Sequence, residues 1–430
     1  MSDDVVDVSP LARAHGRVRV PGDKSASHRA LLLSALAEGE STIVGSSRGR
    51  DVVATRHAIE QLGATVHGET TLTVTGPTGG PRPAAHPLDC ENSGTTMRLL
   101  AGVLAATPGL HHLIGDASLS RRPMDRVATP LESMGARVSG QGPRCTAPLL
   151  IDGRRPLRAI SYRVPVPSAQ VKSAVLLAAL GADGTCEVTE PVRTRTTTED
   201  MLAEAGLAIT TDESGPERVV RVRPGRPRAR AWSVPADPSQ AAFFAVLGVV
   251  HRDALIEVPE LERRAERVGF VNVLARMGGR VAWTETESSP GRSTLVASSS
   301  DLVATEIVGD EIPSLDEVPA LVVAAAASRG VSAFRSMAEL RVKESDRFEA
   351  ALDLAHALGC RAWADGDDFF VEGVASASAF AFFDVAAELD HRIVMASAVA
   401  GAAGVGCRIV GVSTVATSYP HFFEDLASLR

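Results

Sequence analysis

The sequence contains very little lysine. Of its 44 basic residues only three are lysines, Lys24, Lys172 and Lys343, which leaves 41 arginines. An ammonium group is a compact charge with a tunable pKa, whereas a guanidinium is a fixed planar fork. In a chain with this preference for arginine, each remaining lysine is expected where a guanidinium would not serve. The three lysines are therefore candidate functional residues.

Other scarcities exclude whole classes of protein. The five cysteines are scattered, with no CxxC pair and no histidine cluster, so neither a zinc site nor a disulfide framework is expected. The net charge of −8 argues against a general nucleic-acid binder. No apolar run reaches the roughly 18 residues of a membrane span, and residues 1–10 lack the pattern of a signal peptide. We expect a cytoplasmic protein without a membrane or nucleic-acid partner.

The residues that are abundant indicate a large globular protein. The chain has 430 residues, of which 45% are hydrophobic and 22% are charged. This length is enough for two or more domains with sizeable cores. The apolar residues are mostly Ala, Val and Leu, while aromatic residues make up only 4%. Such a composition suits helices packed tightly on sheets.

One pattern recurs along the chain: a polar start, an Ala/Leu/Val run of about three turns, and a short β-like run. It occupies residues 25–44, 92–114, 167–188, 237–258, 316–334 and 390–410. Between these segments lie amphipathic helices that end in Gly, as a helix C′ position with positive φ favours. The repeat predicts six α/β units of roughly 70 residues, arranged as two domains of three units each. Residues 223–230, rich in Pro and Arg, are the best linker candidate.

The polar starts are typical of helix N-termini that bind anions. Lys24 and Ser25 follow a Pro-Gly turn and open an apolar run, and Arg29 lies one turn further on the same face. Free N–H groups and the positive end of the helix dipole favour an anion there. At the second start, Gly94 allows a ligand to approach the backbone closely. If several starts converge, they form a cleft for a multiply charged anion.

The remaining starts add further polar side chains. Arg121 and Arg122 lie in a loop and suit bidentate contacts to phosphate or carboxylate. Residues 167–172 offer hydroxyl and amide groups, and Asp316 with Glu317 precedes the fifth apolar run. Residues 341–347 hold five charges, among which Lys343 and Arg347 are spaced i, i+4 and are expected on one helix face.

Cations dominate the candidate set, with a few carboxylates among them. The cations are Lys24, Arg29, Arg98, Arg122, Lys343, Arg347 and Arg392, and the carboxylates are chiefly Asp316 and Glu344. This combination suits phosphorylated or carboxylated substrates and general acid/base chemistry. No P-loop, dinucleotide-binding glycine motif or serine-hydrolase elbow is present. A non-catalytic anion-binding protein is the alternative from another class.

As a set, the motifs resemble the 5-enolpyruvylshikimate-3-phosphate synthase (3-phosphoshikimate 1-carboxyvinyltransferase) family. The resemblance covers nearly the whole chain and rests on PGDKSxSxR (21–29), NSGTTMR (92–98), RRPM (121–124), PSAQVKSA (167–174), DPSxAAFF (237–244), LxVKESDR (340–347) and DHR (390–392). It implies an α/β (α+β) fold of two similar domains, each of three βαβαββ units in an inside-out barrel-like arrangement, with the active site in the interdomain cleft. The implied domains are 22–235, on the shikimate-phosphate side, and 1–21 with 236–430.

The resemblance also implies a reaction. The family transfers the enolpyruvyl group of phosphoenolpyruvate to the 5-hydroxyl of shikimate 3-phosphate and releases phosphate. The path runs through a tetrahedral intermediate, as a step of the shikimate pathway of aromatic amino acid biosynthesis. Neither a metal nor an organic cofactor is implied, the protein is expected to be a monomer, and glyphosate is expected to inhibit it.

The residue roles implied by the family fall on matching positions. Asp316 would deprotonate the 5-hydroxyl, and Glu344 with Lys24 would manage the proton on the methylene carbon. Lys24 would touch both substrates. The implied substrate-binding residues are Ser25, Arg29, Asn92, Gly94, Arg122, Ser168, Gln170, Arg195, Lys343, Arg347, His391 and Arg392. Among these, Gly94, Arg122, Arg347 and Arg392 would bind phosphoenolpyruvate.

The chain departs from the family pattern at a few positions. Glu91 stands where a Gly usually precedes the Asn, and residues 194–199 read TRTTTE instead of the usual SRDHTE. Ala236 replaces a common Gly, and residues 416–420 lack the Lys that some members use. By the resemblance, these positions lie near the phosphate of the acceptor, and none of them belongs to the acid/base set. The alternative enzyme is therefore a paralogue acting on a different shikimate-like cyclic acceptor in a specialised pathway.

Overall fold

The protein folds into two compact units. The computed structural model describes residues 4–285, 291–387 and 390–429. The first unit is Gly22–Val234, and the second consists of Met1–Pro21 and Pro235–Arg430. The chain therefore passes from one unit to the other twice, after Pro21 and after Val234.

Short strands and medium-length helices alternate along the chain. The second unit begins with β1 (Val5–Val8) and β2 (Ala14–Arg17). The helices of the first unit are α1 (Lys24–Leu36), α2 (Arg50–Gln61), α3 (Gly94–Ala105), α4 (Asp125–Ser133), α5 (Ala169–Ala179) and α6 (Thr197–Glu204). Its strands are β3 (Glu40–Val44), β4 (Thr65–His67), β5 (Thr71–Thr75), β6 (Leu88–Asp89), β7 (Gly109–Ile114), β8 (Arg137–Gln141), β9 (Thr146–Gly153), β10 (Ser161–Arg163), β11 (Cys186–Glu190), β12 (Ile209–Asp212), β13 (Arg218–Val222) and β14 (Ala231–Ser233).

The rest of the second unit continues the same alternation. Its helices are α7 (Pro238–Val250), α8 (Gly269–Arg276), α9 (Val318–Ala326), α10 (Arg347–Ala357), α11 (His391–Ala403) and α12 (Phe422–Ser428). Its strands are β15 (Ala254–Leu261), β16 (Arg280–Glu285), β17 (Ser293–Ser298), β18 (Glu306–Val308), β19 (Arg329–Arg335), β20 (Arg361–Asp365), β21 (Asp368–Val374), β22 (Phe383–Ala386) and β23 (Cys407–Val410).

The described residues form six separate small sheets, three in each unit. In the first unit the strand orders are β14-β3-β5-β4, β6-β7-β9-β8 and β10-β11-β13-β12. In the second unit they are β2-β15-β17-β16, β18-β19-β21-β20 and β22-β23-β1. Each sheet pairs its first two strands in parallel and adds the others antiparallel. The six-fold repeat predicted from the sequence is confirmed.

Two of the parallel pairs are made by strands far apart in sequence. β14 pairs with β3, with Ala231 opposite Thr42, and β2 pairs with β15, with Ala14 opposite Ala254. Parallel strands need a crossover connection, normally a helix. Here the strand before α1 joins the second unit and the strand before α7 joins the first. This exchange explains why the N-terminal residues belong to the second unit.

The expected linker is not a linker. Residues 223–230 pack against the first unit, where Arg226 donates from Nε to the carbonyl oxygen of Leu36 at 2.9 Å and pairs with Glu38. The passage into the second unit follows later, at Val234. Arg226 caps the end of α1, and the segment belongs to the first unit. The prediction that residues 223–230 link the two domains was therefore wrong.

The six apolar runs form helices buried in the two cores. In α7 every residue from Pro238 to Val250 is buried, and α9 is buried from Val318 to Ala326. A helix that is apolar on all sides lies inside a protein. No helix among the described residues has the length and apolar character to cross a membrane.

The amphipathic helices between the buried ones end as predicted. The glycine shortly after each of these helices has positive φ, at Gly63 (102°), Gly135 (102°), Gly206 (81°), Gly278 (86°) and Gly359 (87°). Only glycine adopts this conformation without a steric penalty, so it terminates a helix cleanly.

Candidate active site

The buried helices of the first unit start close together. Gln170, in the first turn of α5, donates to Thr95 Oγ1 at 2.9 Å and accepts from Arg98 Nη1 at 2.6 Å in α3. Asp23, Ser93 and Ser168 cap α1, α3 and α5 by accepting backbone N–H groups. Polar side chains from separate sequence motifs therefore meet at one end of the unit.

Lys24 is held at the start of α1 by a carboxylate from α2. Its Nζ lies 2.8 Å from Oδ2 of Asp51, and the two side chains are 15% and 7% exposed. A partly buried ammonium beside one carboxylate has a fixed position and remains open to solvent on one side. Sequence reasoning missed Asp51, which lies at another helix start and belongs to none of the motifs.

Arg29 and Arg195 flank Ser25. Arg29 is buried and donates from Nε to Thr198 Oγ1 at 2.6 Å and from Nη1 to the Ser25 carbonyl at 2.9 Å. Arg195 Nη1 donates to the Ser25 hydroxyl at 3.2 Å. The structure thus brings Ser25, Arg29 and Arg195 together. Thr198, one of the residues in the divergent 194–199 segment, is a direct partner of Arg29.

Gly94 lies beside two guanidinium groups. A Cβ at this position would lie 2.9 Å from Arg98 Nη1 and 3.3 Å from Arg122 Nη1. Arg122 is oriented by Asn92, whose Oδ1 accepts from Nη2 at 2.7 Å. The missing side chain lets both guanidinium groups lie close to the N-terminus of α3, where an anion is favoured.

Lys172 has a different environment from Lys24. It is fully buried, with Nζ 2.8 Å from Glu190 Oε2 and 2.7 Å from Glu199 Oε1. Arg218 approaches the same two carboxylates at 3.5 and 3.3 Å. These four residues, which we call the Lys172 quartet, form a balanced buried ion cluster. The sequence marked Lys172 as unusual but did not reveal its partners.

In the second unit, Asp316 lies among three cations. Its Oδ1 is 3.1 Å from Arg347 Nη1 and 3.8 Å from Lys343 Nζ, and its Oδ2 is 3.4 Å from Arg392 Nη2. The preceding residue, Leu315, has φ of 54°, in the left-handed region that is unfavourable for a branched side chain. Backbone strain of this kind concentrates at functional sites.

Arg347 is the buried centre of this group. Its side chain is completely buried, with Nε 2.6 Å from Asp390 Oδ2 and Nη2 2.6 Å from Glu344 Oε2. Burial lowers the pKa of Arg347, but Asp390, Glu344 and Asp316 together raise the pKa above its ordinary value. Burial raises the pKa of Asp390, and the charge of Arg347 outweighs it, so that this pKa lies below its usual value. Both groups stay charged.

We call this set the Asp316 cluster. Its members are Asp316, Lys343, Glu344, Arg347, Asp390 and Arg392. The three cations balance three carboxylates, so an entering anion would compete with carboxylates already in place. The cluster joins the starts of α9, α10 and α11, because Arg392 also donates from Nη1 to the Asp316 carbonyl at 3.0 Å. His391, the first residue of α11, is buried beside it.

The predicted helix face shared by Lys343 and Arg347 is absent. Residues Ala338–Val342 form a 3-10 turn, and α10 starts only at Arg347. Asp346 caps that helix by accepting from the N–H groups of Phe348 and Glu349, which fixes its start after Lys343. Lys343 donates instead to the carbonyl of Ser314 at 2.8 Å. The prediction was wrong because the strong cap at Asp346 was not recognised.

The helix starts of the first unit and the Asp316 cluster of the second unit both suit the binding of anionic groups. The first unit offers helix N-termini, a glycine beside two guanidinium groups and several fixed cations. The second unit offers carboxylates whose positions are set by cations. A carboxylate held in a fixed position can act as a general acid or base when a substrate lies within hydrogen-bond reach. Within the described residues, no group of three or more His, Cys, Asp or Glu side chains is placed to hold a metal ion.

Sequence comparison identifies relatives over the whole chain. A sequence model of the EPSP synthase (3-phosphoshikimate 1-carboxyvinyltransferase) family matches residues 8–426. A 3-phosphoshikimate 1-carboxyvinyltransferase from Streptococcus equi subsp. equi is 40% identical over 419 residues, which cover 96% of this chain and 97% of that protein. Another from Streptococcus equi subsp. zooepidemicus is 39% identical, with the same coverage.

Structure comparison gives the same family. An EPSP synthase from Acinetobacter baumannii superposes with a TM-score of 0.86 at 35% identity, covering 99% of this chain and 98% of that one. An enolpyruvyl transferase from Streptomyces tendae shares the fold, with a TM-score of 0.77 at 18% identity, covering 99% and 97% of the two chains. This protein belongs to the EPSP synthase (3-phosphoshikimate 1-carboxyvinyltransferase) family.

Proposed function

We propose that this protein transfers the enolpyruvyl group of phosphoenolpyruvate to the 5-hydroxyl of shikimate 3-phosphate and releases phosphate. Membership of the family over residues 8–426 supports this reaction. The observation that carries it is the Asp316 cluster, in which the proposed base Asp316 and the proposed acid Glu344 both contact Arg347.

We propose that the first unit holds the acceptor. Ser25, Arg29 and Arg195 lie together, and the hydroxyl, guanidinium and backbone groups there suit a phosphate and a hydroxylated ring. Ser168 and Gln170 lie at the start of α5 and add a hydroxyl and an amide. Thr198 fixes Arg29, so the divergent 194–199 segment still supports an acceptor site.

Phosphoenolpyruvate carries a phosphate and a carboxylate, and we propose that cations from each unit bind them. In the first unit the proposed ligands are Lys24, Asn92, Gly94 and Arg122, which lie near the starts of α1 and α3. In the second unit they are Lys343, Arg347, His391 and Arg392. Glyphosate, an anion of similar charge, is expected to compete with phosphoenolpyruvate for Arg122 beside Gly94.

The proposed chemistry has two stages. In the first, Asp316 accepts the proton of the 5-hydroxyl, and the hydroxyl oxygen forms a bond to C2 of phosphoenolpyruvate. At the same time C3 takes up a proton, which gives the tetrahedral intermediate. In the second, C3 loses a proton and the bond from C2 to the phosphate oxygen breaks. We propose that Glu344 and Lys24 give and remove the C3 proton. The surrounding cations stabilise the charge that develops on the phosphate.

The test is turnover with defined acceptors. Purified protein is mixed with phosphoenolpyruvate and a panel of shikimate-type acceptors, and phosphate release and product mass are measured. We expect turnover with shikimate 3-phosphate and a product heavier by one enolpyruvyl group. Turnover only with another cyclic acceptor would establish the paralogue, and binding without turnover would establish an anion-binding protein.

The role of Asp316 is tested by Asp316→Asn. Because the amide cannot accept the hydroxyl proton, we expect kcat to fall by about 10²–10⁴-fold. Asp365→Asn, at an exposed position of the same unit, is the matched control and should retain wild-type kcat. Equal kcat for Asp316→Asn and wild type would exclude Asp316 as the base.

We further propose that the protein acts as a monomer in the cytoplasm, needs neither a metal nor an organic cofactor, and has the two units as its domains. Sedimentation at assay concentrations measures the oligomeric state. Dialysis against a chelator should leave turnover unchanged, and lost turnover that is restored by a metal would contradict this proposal.

A further inference from the structure

Glu317 is a buried carboxylate to which no role has been assigned so far. It follows Asp316 directly and occupies the N-cap position of α9, where its side chain makes no capping hydrogen bond. Only 3% of the residue is exposed. A buried carboxylate is costly unless its oxygens are paired, so the partners of Glu317 show what it holds.

Both oxygens of Glu317 accept from serine hydroxyls. Ser239 in α7 donates to Oε1, and Ser314, three residues before Glu317, donates to Oε2 at 2.9 Å. Ser239 is itself buried at the start of α7. Glu317 therefore ties the loop before α9 to the start of a helix that is distant in sequence.

The loop that Glu317 secures carries the contact to Lys343. The carbonyl oxygen of Ser314 accepts from Lys343 Nζ at 2.8 Å, and that Nζ lies 3.8 Å from Asp316 Oδ1. Leu315, which lies between Ser314 and Asp316 in the sequence, has φ of 54°. A strained loop keeps such a conformation only where its surroundings impose it, and Glu317 supplies two hydrogen bonds that do so.

We propose that Glu317 is a positioning residue that fixes the Asp316–Lys343 pair through Ser314. It touches neither of these side chains through its carboxylate and acts through the Ser314 loop. The expected effect of Glu317 on kcat rests on the proposed function, whereas its effect on the position of Lys343 does not.

The kinetic test compares Glu317→Ala with Glu317→Gln. Alanine removes the carboxylate that accepts from both serine hydroxyls and so loosens the loop, and a misplacement of about 1 Å can cost about 10²-fold in rate. We expect kcat to fall by about 10–100-fold in Glu317→Ala. The KM of phosphoenolpyruvate should rise as well, because Lys343 is one of its proposed ligands, whereas the KM of shikimate 3-phosphate should stay close to wild type. Glu317→Gln can bond both serines and should restore kcat. Glu372→Ala, which removes an exposed carboxylate of β21, is the matched control.

A second readout needs no turnover. With Cε-labelled lysine the protein has only three lysine side-chain NMR signals, and Lys343→Arg assigns that of Lys343. We expect the Lys343 signal to move toward that of a solvated lysine in Glu317→Ala and to stay in place in Glu317→Gln. If Glu317→Ala does not fold, Ser314→Ala is the second variant: it keeps the carboxylate but removes the hydroxyl that donates to Glu317 and accepts from the Asp316 N–H at 3.4 Å. It should shift the Lys343 signal in the same direction.

The outcomes separate the two proposals. A shifted Lys343 signal in a protein whose wild type does not turn over would support the positioning role and refute the proposed reaction. With an active wild type, unchanged kcat and an unchanged Lys343 signal in folded Glu317→Ala would overturn the positioning role. A fall in kcat without movement of the signal would also overturn it, because Glu317 would then act by another route.

Discussion

At the scale of single residues, the candidate site is fixed by partners from distant parts of the sequence. Arg29 bonds Thr198, 169 positions later, and Arg392 bonds the carbonyl of Asp316, 76 positions earlier. Each contact orients a charged side chain that would otherwise sample many rotamers, at an entropic cost of about 1.5–2 kcal/mol. The charged residues are therefore held in position before a ligand arrives.

Glu91, one of the departures from the family pattern, lies in a strained backbone conformation. Its φ is 49°, a left-handed conformation that glycine adopts freely and that other residues adopt at a cost. Burial and then the neighbouring Asp89 raise the pKa of the Glu91 carboxyl. The glycine usual in the family at this position fits the same backbone, so Glu91 changes the local charge and keeps the turn.

We expect Glu91→Gly to stabilise the first unit by about 0.5–1 kcal/mol, because it removes the left-handed strain. Thermal unfolding measures this as a rise in Tm of about 1–3 °C. Glu132→Gly, the same exchange in the last turn of the right-handed helix α4, should lower Tm instead. A lower Tm for Glu91→Gly would show that Glu91 makes contacts that outweigh the strain.

At the scale of elements, a buried hydrogen-bond chain joins three helices of the first unit. His28 Nδ1 of α1 lies 2.7 Å from Thr55 Oγ1 of α2, which lies 2.7 Å from Thr96 Oγ1 of α3. Thr96 also bonds Ser93, the cap of α3, at 2.7 Å. These hydrogen bonds fix the starts of α1 and α3 relative to each other, and therefore also the positions of Lys24 and Gly94.

His28 gives this junction a dependence on pH. Burial, then the charges of Lys24 and Arg29, lower the pKa of His28 well below the ordinary 6.5. The unfolded chain therefore binds a proton below pH 6.5 while the folded chain does not. The contribution to stability is complete above pH 6.5 and is lost as the pH falls toward the folded pKa, by about 1.4 kcal/mol per pH unit.

We predict that His28→Asn weakens this dependence. Urea unfolding at pH 7, 6 and 5 should show a shallower loss of stability than in wild type, by about 1.4 kcal/mol per pH unit for the missing proton. His86→Asn, at an exposed position, is the control and should follow the wild-type curve. Parallel curves for wild type and His28→Asn would contradict the lowered pKa.

The Lys172 quartet links four elements, namely α5, the end of β11, the start of α6 and the start of β13. Removing one partner of a buried ion cluster leaves uncompensated charge and costs about 3–5 kcal/mol. We therefore expect Lys172→Met to destabilise the first unit by that amount in urea unfolding.

Two comparisons sharpen the Lys172→Met prediction. Adding Glu199→Gln removes one of the uncompensated carboxylates and should recover part of the loss. Arg163→Met breaks an exposed pair with Glu217 and should cost less than about 1 kcal/mol. Equal midpoints for Lys172→Met and wild type would show that Arg218 alone neutralises both carboxylates.

At the scale of the whole molecule, the exchange of strands ties the N-terminal residues to the second unit. β1 pairs with β23 and β2 with β15, each over four residues, so two of the three sheets of this unit need N-terminal residues. Long-range strand pairing of this kind forms late, because the loop-closure entropy must be offset first.

Removal of residues 1–21 should therefore damage one unit selectively. We expect hydrogen exchange to rise in β15 and β23 and proteolysis to begin within 235–430, while the first unit keeps its protection. Replacing only Ala12 and Arg13, two exposed residues between the two strands, by serine is the control and should leave both patterns near wild type. Uniform loss of protection in both units would contradict this prediction.

Much of the fold was predictable from the sequence because the signals are local. Apolar runs of about three turns gave the six buried helices, and glycines gave the ends of the amphipathic ones. Polar residues at helix starts marked Lys24, Gly94, Gln170, Asp316 and Arg392 as candidates. A helix and its caps depend on residues within a few positions, so a single sequence records them.

The partners of those residues were decided by the tertiary structure alone. Asp51 beside Lys24, Thr198 beside Arg29 and Ser239 beside Glu317 lie 27, 169 and 78 positions away. Because α10 starts only at Arg347, Lys343 lies before the helix, with its Nζ 3.8 Å from Asp316 Oδ1. Which charges pair depends on distances set by packing of the helices and sheets. The sequence by itself determined the elements and the types of charged group at their starts, and packing decided which charges neutralise each other.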